Sequence, residues 1–134
     1  IENNTATGND NLGGGAIFTQ QIATLSVTNT SFRNNKAEST SSGGAIFISH
    51  STATLTITDS EFIANHANGQ ESTGGGAIYM TGTSNYERQG TLTISNTLFE
   101  DNTAGTNGGA VYARATTINI ANSVLLNNKD ANGL

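Results

Sequence analysis

The sequence GNDNLGGGAI, Gly8 to Ile17, places Asp10 and two asparagines beside a run of glycines, the residue types that supply oxygen ligands and tight turns to calcium. A calcium roll needs that pattern in tandem nonapeptides, because each ion is shared by successive turns. Asp10 has no partner nine residues away, so this turn is read as metal-free and GNDN as a polar lead into GGAI. Glycoside cleavage would need paired carboxylates flanking one bond. The ten acids scatter instead: Asp59 stands where other copies carry Asn, Asp101 lies opposite Asn34 and Ala64, and Glu61 lies against Ser31 and Leu98. His50 and His66 fall in different segments and read as solvated turn residues. The expectation is no catalysis, no metal and no cofactor.

Repetition decides what must position these residues. Gly-Gly-Ala-aliphatic-aromatic occurs at Gly14 to Phe18, Gly43 to Phe47, Gly75 to Tyr79 and Gly108 to Tyr112, in steps of 29, 32 and 33 residues. A second motif follows each copy: TLSVTNTSFRNN, TLTITDSEFIAN, TLTISNTLFEDN and TINIANSVLLNN. It ends in Phe-x-x-Asn at Phe32/Asn35, Phe62/Asn65 and Phe99/Asn102, with Leu125/Asn128 as a degenerate fourth and Ile1/Asn4 as the end of a preceding copy. Units near this length stack, since none buries its own apolar face. Leu55 and Ile57 alternate with Thr54, Thr56 and Thr58, and the other copies do the same, which is the period of a strand with one buried face. The expected fold is all-β: a right-handed parallel β-helix of about four coils with three short strands per coil, residues 1–134 forming one segment of a longer array.

Equivalent residues should then form ladders about 4.8 Å apart. Leu25, Leu55, Leu92 and Ile118 are expected inside, as are Val27, Ile57, Ile94 and Ile120, with a Phe32, Phe62, Phe99 stack ending on Leu125. Asn4, Asn35, Asn65, Asn102 and Asn128 can pass amide hydrogen bonds from coil to coil. Asn29, Asp59, Asn96 and Asn122 make a second corner column. With Ile17, Ile46, Ile78 and Val111 inward, Phe18, Phe47, Tyr79 and Tyr112 are expected outward as an exposed strip that a partner could touch. The third copy carries the insertion TGTSNYERQG, whose Tyr86, Glu87 and Arg88 are a second candidate contact.

Net charge is −5 with only five Lys and Arg, which argues against nucleic acid as a partner. There is no apolar run long enough to span a bilayer. Cysteine is absent, so disulfide and thiolate chemistry are excluded.

The pairing of GGA(I/V) with FxxN in every copy resembles the polymorphic membrane protein family of chlamydiae. That resemblance implies an autotransporter passenger at the bacterial cell surface or outer membrane, or secreted, acting as an adhesin towards a host-cell protein receptor or glycan. Membrane anchoring would come from a part of the protein not present here. The resemblance also implies adhesive motifs at Gly14, Gly15, Ala16 and Ile17; Gly43, Gly44, Ala45 and Ile46; Gly75, Gly76, Ala77 and Ile78; and Gly108, Gly109, Ala110 and Val111. It extends to Phe32, Asn35, Phe62, Asn65, Phe99 and Asn102, although ladder packing would withdraw these from a receptor. A passive stalk is the alternative function, followed by a polysaccharide-active enzyme and by ice binding through the outward Thr columns, whose grid Asn119 and Ala121 break. Open ends would expose apolar rungs and favour self-association through uncapped coils.

Overall fold

A computed structural model describes residues 1–8, 13–21, 24–38, 41–50, 52–69, 74–82 and 90–133. The chain winds into a parallel β-helix whose wall consists of four sheets, each of four strands. One sheet stacks β2 (Ile17–Thr19), β6 (Ile46–Ser49), β10 (Ile78–Thr81) and β14 (Val111–Arg114). The next stacks β3 (Thr24–Thr28), β7 (Thr54–Thr58), β11 (Gly90–Ser95) and β15 (Thr116–Ala121). The third stacks β4 (Ser31–Arg33), β8 (Glu61–Ile63), β12 (Leu98–Glu100) and β16 (Val124–Leu126). The sequence suggests three strands per coil, and the structure adds a fourth of two residues: β1 (Thr5–Ala6), β5 (Lys36–Ala37), β9 (His66–Ala67) and β13 (Thr103–Ala104). Two residues are too few to display a period, which is why this strand leaves no pattern.

Register follows the expected columns. Leu25, Leu55, Leu92 and Ile118 are partners in succession, as are Val27, Ile57, Ile94 and Ile120. Phe32, Phe62, Phe99 and Leu125 form the third column. Their rings stack nearly parallel, with centroids 4.8 and 4.9 Å apart, so the strand spacing itself sets the ring spacing. Ala45, Ile46, Ile48, Leu55, Ile57 and Phe62 enter one continuous core with their counterparts in the third coil.

The FxxN asparagines close the corner after the phenylalanine. Asn65 Nδ2 donates one hydrogen to Asn102 Oδ1 at 3.0 Å and the other to Phe32 O at 3.0 Å. Its Oδ1 accepts from Asn35 N and Asn35 Nδ2, both at 3.0 Å. All four bonding positions of the amide are thus filled in a fully buried group. The same side-chain contact joins Asn4 to Asn35 at 2.9 Å and Asn102 to Asn128 at 2.8 Å.

Two corner columns use left-handed backbone. Asn29, Asp59, Asn96 and Asn122 have φ near 50°, as do Asn34, Ala64 and Asp101 immediately before the amide ladder. Asn and Asp visit this region at little cost, whereas Ala64 does not. Glycine enters GGA for two reasons. Gly75 has φ 73°, while Gly44 has none of that backbone constraint, but a Cβ there would overlap the Gly76 carbonyl and lie 2.6 Å from His66 N. The second glycine therefore lets the GGA corner press against the short fourth strand of its own coil.

Two stability outcomes follow from these columns. Asn65→Ala leaves Asn35 N, Asn35 Nδ2 and Phe32 O buried without their partner and is expected to lower unfolding free energy by about 3 kcal/mol or more. Denaturant unfolding measures it, and a loss under 1 kcal/mol would contradict the buried ladder. Ala64→Asn restores the residue type of its column and should raise stability by about 0.5–1 kcal/mol, read as a higher denaturant midpoint at unchanged slope.

Candidate functional site

The GGA and FxxN motifs face the interior. Phe32, Phe62, Phe99, Asn35, Asn65 and Asn102 are fully buried, as are Ala45, Ile46, Ala77 and Ile78. Gly14, Gly15, Gly43, Gly44, Gly75, Gly76 and Gly109 are buried as well, and Ala16, Ile17, Gly108 and Val111 are partly so. The folded wall therefore withholds most of the motif residues from any partner. Their chemistry is the holding of coils in register.

The aromatic column is built as expected but not exposed as expected. Phe18, Phe47, Tyr79 and Tyr112 are strand partners in succession. Ile46 and Ile48 belong to the core and Phe47 between them does not, so the ring lies on the opposite side of the strand. Yet Phe47 is 3% and Tyr79 5% exposed, against 40% for Phe18. Centroid distances of 5.2, 4.9 and 5.5 Å place a neighbouring ring beside each middle one on both sides. The strip offers a partner Phe18 and the half-buried Tyr112, rather than four rings. Tyr86, Glu87 and Arg88 of the insertion lie outside the described residues, as do Asn9, Asp10 and Asn11 of the GNDN turn.

A hydroxyl ladder runs beside the first corner column and is a feature the motif reading missed. Thr30, Ser60, Thr97 and Ser123 each donate to the carbonyl two residues back, at 2.8–2.9 Å. Ser60 Oγ also accepts Thr30 N at 3.2 Å, and Ser123 Oγ accepts Thr97 N at 3.1 Å. The signal was present as an Asn or Asp followed by Ser or Thr in every copy, at positions 29–30, 59–60, 96–97 and 122–123. Outside this ladder lies an open groove of about 460 Å³, lined by Asn29, Asp59, Asn96, Glu61 and Leu98 among others. Asn96 Nδ2 donates to Asp59 Oδ1 at 3.0 Å across it. Arg33 pairs with Glu61 on the adjoining sheet. Hydrogen bonding from Ser31, then from Arg33, holds the Glu61 carboxyl below the usual carboxylate range.

His66 lies on β9 rather than in a turn, with Nδ1 2.7 Å from Thr103 Oγ1. His50 does sit beside a turn, accepting Thr52 N at Nδ1. Among the described residues no three His, Cys, Asp or Glu side chains are grouped to hold a metal ion. No helix among them is long and apolar enough to cross a membrane, which says nothing of barrels.

Burial, and then the Lys36 charge, lower the His66 pKa from its ordinary value. The unfolded chain therefore binds this proton first as pH falls below about 6.5, and stability declines with it. Melting temperature should drop between pH 7.5 and 5.5, and His66→Gln should flatten that part of the profile. An unchanged profile in the variant would remove His66 as the source.

The comparisons with known proteins agree with this architecture. The Chlamydia polymorphic membrane protein repeat matches residues 29–49 and 96–114. Each match starts at a left-handed corner, passes through Phe32 and Asn35 or Phe99 and Asn102, and ends on the strand after GGAI or GGAV. No curated protein and no solved structure matches the chain. The repeat and the β-helix together fit a surface-exposed passenger segment. The chain thus carries the Chlamydia polymorphic membrane protein repeat at two places, residues 29–49 and 96–114, and this is the family that its paired motifs resemble.

Proposed function

We propose that this array is part of an adhesive passenger of a bacterial outer-membrane protein, attaching the cell to host surfaces by binding rather than by catalysis. The observation that carries the reading is the family repeat, matched at two separate places along the β-helix. A β-helix suits that role physically. Each coil contacts only its neighbours, so the array extends a long wall whose side chains can change without disturbing the interior. Attachment then belongs to wall and corner residues, because the motifs are inside.

A passive stalk is the second reading, and the outer face of β3, β7 and β11 favours it. Its outward positions are Thr24, Ser26, Thr28, Thr54, Thr56, Thr58, Thr91, Thr93 and Ser95, an even polar surface with no anchor residue.

Beads coated with the folded chain and applied to cultured epithelial cells separate the two. Saturable attachment, competed by excess free chain, is expected of the adhesin. Attachment no greater than that of beads bearing an unrelated β-helix of similar charge would make the array a spacer.

A further inference from the structure

Outward positions on the β4–β8–β12–β16 sheet change character along the stack. They are Ser31 and Arg33 in the first tier, Glu61 and Ile63 in the second, Leu98 and Glu100 in the third, and Val124 and Leu126 in the fourth. The phenylalanine column between them points inward, so these side chains point out. Val124 and Leu126 are 54% and 45% exposed, and Ile63 and Leu98 are half-buried. The neighbouring sheet fills its outward positions in the same three lower tiers with Thr and Ser alone. Aliphatic side chains thus run obliquely across this face, beside a sheet whose outward residues in those tiers bear hydroxyls.

Acidic side chains outnumber basic ones around that face. Asp59 and Glu61 border it at the groove, and Glu100 and Asp101 border it at the opposite corner. Four of the ten acids of the chain are gathered here with one of its five Lys and Arg, and that one, Arg33, already pairs with Glu61. An apolar strip between carboxylates complements a segment that carries aliphatic side chains among cations, and it repels polyanions such as sulfated glycans.

We infer that this face is a docking surface for a basic, aliphatic-bearing stretch of a partner polypeptide, with Ile63 and Leu98 as the apolar contact and Glu100 and Asp101 as the anionic rim. The inference builds on the adhesive reading and adds the face and the chemistry of the partner. The occupant lies across the tiers, seating its aliphatic side chains on Leu98 and Ile63 while its cations reach the corner carboxylates.

The test uses the whole chain and a short fluorescent peptide bearing two leucines and three lysines among serines, followed by anisotropy. Two control peptides replace the leucines by serine or the lysines by glutamate. Saturable binding of the first peptide alone is expected. The double variant Ile63→Thr/Leu98→Thr should weaken it by at least about tenfold. Threonine is the outward residue of the adjoining sheet, and an unchanged melting temperature verifies the fold. Glu100→Gln/Asp101→Asn should weaken it too and remove most of its salt dependence. Equal binding of the serine control, indifference of the first double variant, or preference for heparin over the peptide would each overturn the proposal. The distinction from adhesion itself is direct: beads bearing Ile63→Thr/Leu98→Thr that still attach to cells would retain the adhesin and eliminate this face.

Discussion

Everything in the array depends on the buried column of asparagine amides. A primary amide has two donors and two acceptor positions, and a column at strand spacing fills all of them only when every rung is an amide. Asn65 shows the arrangement complete, joined upward to Asn102 and downward to both Asn35 and the Phe32 carbonyl. Leaving any of these groups unpaired in a dry interior costs more than the bond itself contributes. The ladder therefore punishes slippage: shifting one coil by a residue would set an amide against a side chain unable to answer it. The phenylalanine three residues earlier gains its stack from the same register.

Glycine completes this constraint at the adjoining corner. Gly44 and Gly76 each lie against the backbone of the fourth strand in their own coil, too close for a Cβ. The GGA corner and the asparagine corner are thus two halves of one contact, joined by a strand two residues long. That explains why both motifs recur together, and why the family repeat matched at 29–49 and 96–114 spans from one to the other.

The columns of this fold were legible because side-chain chemistry repeats with the coil. Leu55 over Leu92, Phe62 over Phe99 and Asn65 over Asn102 could be aligned from motif spacing alone. Exposure was not legible in the same way. Phe47 has the alternation of an outward residue, but it is only 3% exposed, with its ring flanked by Phe18 and Tyr79 of other coils. The fourth strand was hidden by its brevity, and His66 with it. The apolar face carrying Ile63 and Leu98 was hidden for a further reason: neither residue is unusual in its own coil, and their association appears only when tiers are superposed.

The amide ladder also has a direction. Each asparagine oxygen looks toward the preceding coil, from which it accepts two hydrogens, and each backbone N–H looks toward the following one. A coil is therefore not symmetric along the axis: in this column one side presents the side-chain oxygen and the other the backbone N–H. Whole units can be duplicated or deleted in such a column without changing what any neighbour sees, so length can drift freely during descent. A unit inserted in reverse would bring like groups face to face. Polarity along the axis is thus inherited by every rung, even as the number of rungs changes.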